Sequence, residues 1–532
     1  MSSLFADTTS PQIARASRAC DACRLRKTRC DVNADVNQTK NICTRCQRLQ
    51  LQCTFELTVG RRGPKRKRRQ DDAPSDPSPI RSGSSVVPSI SLIPSGTFQQ
   101  DTFRTDSICS RPLFRTMVND FLTYIYPLIP VVHRPSFCFA LNEDRDNDND
   151  DFLGLIIAIC AIVVALLPSK YESYCSLDTS LVSSRAEVLD RCYDCLIALR
   201  GPEFFEKIGF SKWAASYLMC IAFFQVGKHN RARMIEVESM QLGRLLNLHR
   251  TDEYQELDCI ETQLRRKGFW LLFYGHVHSE VQNFRKEKLS FLNHATIETM
   301  NLKALMPLEI EDEQIFKHEI VASPPSEVNM TTGFIIHSRI FWQAIEDPRD
   351  NTRTECLCCR NRSAAVQVAH LERRLRDLKY ALDDAPMPFR QYALPSDDAA
   401  AHTFSHSQLA TIRVNIHVTH LWLQSMLLDQ LDLLTSPEQH WHEREDISTQ
   451  LLHVLHNTSQ ADIEPNGLHL VYKVRDVAVG LLACPYEAPD PSAKRAQEYV
   501  RAFTDILARV DASETVNTAN LQSWIDTGRQ NV

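Results

Sequence analysis

The stretch that decides the N-terminal fold reads Cys20-Asp-Ala-Cys23-Arg-Leu-Arg-Lys-Thr-Arg-Cys30 and, twelve residues later, Cys43-Thr-Arg-Cys46-Gln-Arg-Leu-Gln-Leu-Gln-Cys53. Each half has the spacing C-x2-C-x6-C. The second half is the first half displaced by 23 positions at all three cysteines. This match makes the segment an internal repeat.

Clustered cysteines either form disulfides or hold a metal ion. The first twenty residues contain no apolar run, so we expect no secretory signal. Cysteines kept reduced inside the cell rarely form disulfides, which favours a metal site over a disulfide framework. Zinc prefers four tetrahedral thiolate or imidazole ligands, and no histidine lies between Cys20 and Cys53. Six thiolates fill one site and leave two over, or fill two sites if two thiolates bridge both metals. The repeat favours two bridged sites, because each triplet then has an equivalent role.

Basic residues are concentrated around this repeat. Residues 15–69 contain 16 Lys or Arg and 4 Asp or Glu, whereas the whole chain has a formal net charge of -6. A basic N-terminal segment followed by an acidic remainder indicates that the two parts bind different partners. The partner expected for the basic segment is a polyanion. The first x6 segment holds Arg24, Arg26, Lys27 and Arg29, and the second triplet holds Arg45 and Arg48. We therefore expect the first half to read bases and the second half to brace the fold and contact phosphate.

The six cysteines, with Cys-Arg-Leu-Arg-Lys-Thr-Arg-Cys between the second and third, resemble the fungal binuclear zinc cluster (Zn2Cys6) regulators. The resemblance implies two Zn²⁺ ions bridged by Cys20 and Cys43, with Cys23, Cys30, Cys46 and Cys53 as terminal ligands. It also implies that Arg26 and Lys27 contact guanines of CGG triplets in the major groove. The loop at residues 31–42 lacks the proline that many members place there.

The segment after the cysteines has two parts, which together make residues 57–102 a linker. A basic run can serve in nuclear import or along the DNA backbone; it consists of Arg61, Arg62, Lys65, Arg66, Lys67, Arg68 and Arg69. The Pro- and Ser-rich remainder predicts disorder, as do residues 1–15. No sustained heptad pattern is present, so we do not expect a coiled-coil dimer through this linker, and a dimer formed through the helical body stays open as an alternative.

Residues 103–532 predict a large all-helical domain that follows the cluster domain at 16–56. Helices are expected at residues 152–167, 186–199, 212–225 and 231–246, the last two forming a hairpin around Gly227. Leu371, Leu375, Leu378 and Leu382 form an apolar stripe. These stretches, together with Pro-Val-Val-His-Arg-Pro-Ser-Phe at 130–137, resemble the middle homology region of the same regulators. The resemblance implies a regulatory body that can sense a small molecule or a partner.

Several other features are interpreted as structural. The aliphatic run at 152–167 is shorter than the roughly 20 residues of a membrane span and is expected to be a buried helix. The acidic residues 143–151 lack an EF-hand pattern and are expected to form a solvated loop. The Cys192–Cys195 pair and the histidine pairs 417/420 and 440/442 are expected to be ordinary packing or surface residues. The triplet Cys356, Cys358 and Cys359 leaves a third metal or redox site open as an alternative.

The sequence as a whole predicts a nuclear, sequence-specific, DNA-binding regulator of RNA polymerase II genes. Carbohydrate or secondary-metabolite genes are the expected classes of target. Its expected partners are double-stranded DNA, co-regulators or transcription machinery and a small-molecule effector, with no membrane. No H-E-x-x-H, G-x-x-x-x-G-K or G-x-S-x-G motif is present, so we do not expect an enzyme. The alternative is a zinc-dependent protein-interaction module that binds nucleic acid without sequence preference.

Overall fold

The computed structural model describes residues 20–25, 30, 43–50, 52–54, 104–181, 184–281, 291–293, 296–297, 300–321, 328–344, 364–390, 405–487 and 489–510. The chain divides into two compact units, residues 1–96 and 97–532. The described residues contain helices and no strand, apart from one antiparallel bridge between Ile315 and Ile320. The predicted mostly-α fold, with a small cysteine-rich unit and a large helical one, is therefore confirmed. The basic run, the linker and residues 1–15 lie outside the described residues.

The first unit contains two short helices, α1 (Asp21–Leu25) and α2 (Thr44–Arg48). The first half of the second unit contains α3 (Arg111–Asp120), α4 (Arg134–Asn142), α5 (Asp150–Leu166), α6 (Pro168–Leu177), α7 (Arg185–Ala198), α8 (Phe210–Gln225), α9 (His229–Leu245) and α10 (Cys259–Val281). Its second half contains α11 (Leu302–Leu305), α12 (Met330–Ala344), α13 (Ala364–Lys379), α14 (Met387–Arg390), α15 (His406–Asp432), α16 (Trp441–His456), α17 (Gln460–Ile463), α18 (Gly467–Gly480) and α19 (Pro491–Val510). A single turn of π-helix, Phe121–Ile125, continues α3.

Helix α5 forms the centre of the first half of this unit. Its residues 153–166 are all buried, because a helix that is apolar on every side must lie inside a core. The Asn149 side chain caps its first turn by accepting a hydrogen bond of 2.9 Å from the Phe152 backbone amide. Pro168 ends α5 and is the first residue of α6. Proline lacks a backbone N–H, and at the first position of a helix that N–H would have no partner within the helix. Helices α3, α7 and α8 pack around α5, so the predicted buried helix is confirmed.

The predicted hairpin and leucine stripe are also present. Helices α8 and α9 pack against each other, and Gly227 between them has a φ of 76°, a left-handed conformation that favours glycine. The leucines at 371, 375, 378 and 382 are all buried. No single helix among the described residues is long and apolar enough to cross a membrane; α5 and α6 meet that length and composition only as a pair, and they bend by 118° at their junction.

Helix α15 forms the centre of the second half, with α12, α13, α16 and α18 packed around it. Unlike α5 it buries many polar side chains, and several of these find partners in neighbouring elements. The Nε2 atoms of His417 and His420 lie 2.8 Å and 2.7 Å from the backbone oxygens of Phe389 and Leu378. Both histidines are therefore core residues, as predicted. Their burial lowers the pKa of each imidazole, that of His417 to about 4.

The acidic segment 143–151 is not wholly solvated, so that part of the prediction is wrong. Asp146 is completely buried, and its carboxylate accepts hydrogen bonds of 2.7 Å and 3.0 Å from Arg111. Arg111 also donates to Asp144 at 2.6 Å. The segment thus fastens α3 through a buried ion pair, because burial of a carboxylate requires a compensating charge. Of the cysteines, Cys192 is buried in the core as expected, and residues 356–359 lie outside the described part.

A buried carboxylate joins three distant segments of the second unit. Asp312 receives a hydrogen bond of 2.8 Å from the Lys267 ammonium, one of 2.5 Å from the Tyr126 hydroxyl and one of 2.9 Å from the Arg134 backbone amide. Burial alone raises the pKa of the Asp312 carboxyl, but the positive charge of Lys267 and these hydrogen bonds lower it to about 2. The backbone oxygen of Asp312 also lies 2.7 Å from His133 Nε2. Residues 126–134, α10 and the segment before α12 are therefore held at one point.

A second buried cation, Lys473, has no acidic partner of this kind among the residues that the structure describes. The Lys473 ammonium donates a hydrogen bond of 2.7 Å to the Thr419 hydroxyl and lies 5.2 Å and 5.7 Å from the ring centres of Phe341 and Trp422. His337 Nε2 lies 3.1 Å from the same hydroxyl. Because burial disfavours the charged amine, the pKa of Lys473 is lowered to about 7.

Substitution of Asp312 by alanine should destabilise the second unit by about 3–5 kcal/mol, because Lys267 would remain buried without its counter-charge. Urea denaturation monitored by tryptophan fluorescence measures the effect. Removal of an exposed partner, Glu203→Ala in the Glu203–Lys207 pair, should change the midpoint little. Equal effects of the two substitutions would contradict the role given to Asp312.

Substitution of Lys473 by methionine should stabilise the unit by about 1–4 kcal/mol at pH 7, because a desolvated cation is replaced by an apolar chain of similar length. The wild-type lysine is neutral in the folded state above about pH 7 but stays protonated in the unfolded state up to about its ordinary pKa of 10.5. The free energy of unfolding of the wild type therefore increases as the pH rises through that interval. The stability advantage of the methionine variant over the wild type becomes smaller by the same amount. Urea midpoints at pH 7 and pH 9 test this, and an equal advantage at both values would contradict it.

Candidate metal centre

The two halves of the cysteine repeat fold alike. Helices α1 and α2 have five residues each, and their bounds differ by the same 23 positions that separate the cysteine triplets. Helices this short are not stable alone in water, so their ends must be held by other groups. In each half the first two cysteines lie at the start of the helix and the third lies beyond its end.

Four sulfur atoms lie together in a buried group. The Sγ atoms of Cys20, Cys23, Cys43 and Cys46 are all within 4.8 Å of one another. Cys20 Sγ lies 3.8 Å from Cys43 Sγ and 3.7 Å from Cys46 Sγ, and Cys23 Sγ lies 3.7 Å from Cys43 Sγ. All these cysteines are free thiols, so the group is not a disulfide framework.

These distances fit a zinc–thiolate centre. In a tetrahedron of sulfurs about 2.3 Å from zinc, neighbouring sulfurs are about 3.8 Å apart. The observed separations of 3.7–3.8 Å match that edge length. The donor set, thiols without carboxylate or imidazole, is the one that zinc prefers in structural sites.

The third cysteine of each triplet takes an equivalent place. The backbone amide of Cys20 lies 3.4 Å from Cys30 Sγ, and the backbone amide of Cys43 lies 3.4 Å from Cys53 Sγ. Cys30 and Cys53 are half-buried, in contrast to the four buried cysteines. The cluster thus has an approximate internal two-fold symmetry that follows from the sequence repeat.

Hydrogen bonding separates the six thiols into two classes. Burial raises the pKa of Cys20, but hydrogen bonds from the Cys23 backbone amide and from the thiols of Cys23, Cys46 and Cys53 lower it to about 6. Cys43 also has a lowered pKa, because hydrogen bonds from the Cys46 amide and thiol outweigh burial. Burial raises the pKa of the other four thiols, those of Cys23, Cys30, Cys46 and Cys53. The direction of the pKa shift therefore separates the first cysteine of each triplet from the other two.

A clasp that sequence reasoning did not find closes the cluster. The Asp21 backbone amide donates to the Thr54 carbonyl at 2.8 Å, and the Thr54 hydroxyl donates to the Asp21 carboxylate at 2.9 Å. Both residues are adjacent to cysteines, Cys20 and Cys53, so the clasp ties the start of the repeat to its end. The sequence offered one signal, an aspartate directly after the first cysteine, but its partner 33 residues away could not be deduced from spacing.

The predicted DNA-contacting residues are described only in part. Arg48 is exposed at the end of α2, and the backbones of Arg24 and Arg45 lie in α1 and α2. The base-reading candidates Arg26 and Lys27, together with Arg29 and the basic run 61–69, lie outside the described residues. Their roles remain predictions.

Comparison with known protein families identifies the same cysteine-rich segment. Residues 18–62 match the fungal Zn(2)-Cys(6) binuclear cluster domain, and residues 118–275 match the fungal specific transcription factor domain. The cluster domain holds two zinc ions, and the buried sulfur group provides a structural basis for them. No solved structure matches the chain.

Two kinds of curated relative are similar to the chain. The maltose fermentation regulatory protein MAL13 of Saccharomyces cerevisiae is 23% identical over 48% of this chain and 48% of its own length. The glucose transport transcription regulator RGT1 is 42% identical in Lachancea thermotolerans, over 12% of this chain and 6% of the relative, and 52% identical in Candida glabrata, over 9% and 3%. The chain thus spans about half the length of the maltose regulator and a small part of the glucose regulators. The two domain matches lie in order along the sequence, so the chain carries a Zn(2)-Cys(6) cluster domain followed by a fungal specific transcription factor domain.

Proposed function

We propose that this protein acts in the nucleus as a sequence-specific DNA-binding regulator of RNA polymerase II genes. The observation that carries the proposal is the two-fold repeated thiol group, whose sulfur separations of 3.7–3.8 Å fit zinc and whose sequence matches a zinc cluster domain. We propose a cluster domain at residues 16–56, a linker at 57–102 and a regulatory domain at 103–532.

Each zinc ion would be held by one triplet and one cysteine of the other. Cys23 Sγ lies against Cys43 Sγ, and Cys46 Sγ lies against Cys20 Sγ. The first triplet with Cys43 and the second triplet with Cys20 therefore make two sets of four ligands, in which Cys20 and Cys43 are common to both. A bound metal would neutralise thiolate charge there, and the six cysteines would then fix the ends of α1 and α2. The chain's own residues then present the intervening basic segment as a rigid surface.

Arg26 and Lys27 lie within the segment that the first triplet closes, and we propose that they donate to the O6 and N7 acceptors of guanine in CGG-type triplets. Arg24, Arg29, Arg45 and Arg48 would contact phosphate, as would the basic run 61–69, which would also serve in nuclear import. The local excess of positive charge supports this division, because phosphate neutralisation provides affinity and base contacts provide specificity.

The helical body would have a regulatory role. The similarity to a maltose fermentation regulator and to glucose transport regulators supports control of carbohydrate genes, with secondary-metabolite genes as the other class in view. A small-molecule effector and co-regulators would act on this body. Both matched families belong to transcription regulators, which favours regulation over catalysis.

The competing function is a zinc-dependent protein-interaction module with an incidental basic tail. Weak, salt-sensitive binding that shows no preference among duplex sequences would favour it. Selection of bound sites from random DNA by the full chain separates the two functions and gives the half-site spacing.

Loss of a shared cysteine should affect both metal sites, whereas loss of a terminal cysteine should affect mainly one. We expect about two zinc ions per purified wild-type chain, about one for Cys53→Ser and fewer than one for Cys43→Ser, measured by plasma mass spectrometry. Cys138→Ser in α4 is the control and should retain the wild-type content. Equal losses for Cys43→Ser and Cys53→Ser would refute the shared role of Cys43.

Lys27→Ala should weaken binding to a CGG duplex by about 1–3 kcal/mol and relax preference at one base pair, since a guanine contact is lost. Arg48→Ala is the matched comparison, because loss of a phosphate contact should weaken all sequences alike and reduce the salt slope by about 1. Fluorescence anisotropy with cognate and single-substituted duplexes at several salt concentrations measures both. Undiminished CGG affinity in Lys27→Ala would show that the base-reading assignment is wrong.

A further inference from the structure

The chain joins the two halves of the cysteine cluster on one side only. Residues 31–42 connect the last cysteine of the first half, Cys30, to the first cysteine of the second half, Cys43. The repeat gives this connection an equivalent position, between the last cysteine of the second half and the first cysteine of the first half, Cys53 and Cys20. No loop can lie there, because the chain passes from Cys20 to Cys53 through the cluster itself. A noncovalent contact must therefore close this second side.

The Asp21–Thr54 clasp lies at this second position. Asp21 directly follows Cys20, and Thr54 directly follows Cys53. The Asp21 backbone amide donates a hydrogen bond of 2.8 Å to the Thr54 carbonyl, and the Thr54 hydroxyl donates one of 2.9 Å to the Asp21 carboxylate. The clasp takes the place that a second loop would have, so the cluster is closed on both sides.

Burial makes the side-chain hydrogen bond of the clasp stronger than a surface contact. The Asp21 residue is 7% exposed, and Thr54 is half-buried. Hydrogen bonds to a carboxylate are among the strong ones in proteins, and a buried acceptor that loses its donor is not fully compensated by water. The Thr54 hydroxyl therefore holds together two segments that are 33 residues apart in the sequence.

The two half-buried cysteines differ in how the chain beyond them is held. Beyond Cys30 the chain returns to the cluster at Cys43, so Cys30 is tethered on both sides by covalent bonds. Beyond Cys53 the chain leaves the cluster, and the clasp at the next residue ties it to the first half. A group tethered on both sides returns to its partner at a higher effective concentration than a group tethered on one side. Loss of the clasp would therefore release Cys53 more than Cys30.

We propose that the Asp21–Thr54 clasp slows the release of the zinc ion that the second triplet holds. The proposal rests on the proposed ligand sets, in which Cys53 is a ligand of this ion alone. Thr54 acts through its neighbour Cys53, and Asp21 acts as the anchor beside Cys20, so both are positioning residues. With the clasp open, the Cys53 side can move away, whereas the ion held by the first triplet keeps Cys30.

The test measures zinc release from the full-length, zinc-loaded chain into an excess of the chromogenic chelator 4-(2-pyridylazo)resorcinol. Thr54→Val removes the hydroxyl donor and should speed the release of one of the two zinc equivalents by about 10–100-fold, the range typical of residues that orient metal ligands. Thr54→Ser keeps the donor and should restore the wild-type rate. Gln52→Val places the same side chain at an exposed position on the other side of Cys53, and this control should release zinc like the wild type.

A second background identifies the zinc ion that the clasp controls. Cys53→Ser already removes the ligand through which Thr54 acts, so adding Thr54→Val to it should leave the release rate of the remaining zinc unchanged. A general loss of stability in Thr54→Val would instead speed release in both backgrounds. The comparison therefore separates a positioning role of Thr54 from a merely structural one.

Wild-type release rates in Thr54→Val, or equal acceleration of both zinc equivalents, would overturn the proposal. Purification of Thr54→Val with one zinc ion in place of two would support it, and loss of both ions would contradict it. Asp21→Asn weakens the same hydrogen bond from the acceptor side and should speed the release of the same equivalent. Zinc release is measured without DNA, so a lack of preference for CGG in the wild type would count against the proposed function and not against the clasp.

Discussion

The group of buried cysteine sulfurs that joins the two triplets is the feature on which the N-terminal unit depends. Cys20 Sγ lies 3.8 Å from Cys43 Sγ and 3.7 Å from Cys46 Sγ, and Cys23 Sγ lies 3.7 Å from Cys43 Sγ. Two helices of five residues could not persist without an external constraint. Metal binding supplies that constraint, so in this unit the free energy of metal binding is also the free energy of folding.

The large unit is stabilised by different interactions. Its first half is built on α5, which is buried because it is aliphatic on all sides, and this part depends on apolar burial. Its second half is built on α15, whose polar side chains require individual partners. Asp312, which receives hydrogen bonds from Lys267, Tyr126 and Arg134, shows how strongly buried polar groups depend on one another elsewhere in the unit, since removal of one member leaves another buried without compensation.

The features that followed from sequence are those whose signal is local. Cysteine spacing predicted the metal centre, and the aliphatic run at 152–167 predicted α5 almost to its ends. Burial of polar groups was not accessible in this way. Asp146 looks like part of a solvated acidic loop until Arg111, 35 residues earlier, is placed beside it. Lys473 and the Asp21–Thr54 clasp depend likewise on partners brought close by tertiary structure, 54 and 33 residues away.

The claim that bound zinc makes the N-terminal unit competent for DNA is tested most directly by metal removal and return. The affinity of the full-length chain for a CGG duplex is measured before chelation, after chelation and after zinc is restored in stoichiometric amount. We expect specific binding to disappear with the metal and to recover with two equivalents of zinc. Specific binding that survives complete removal of zinc would contradict the account.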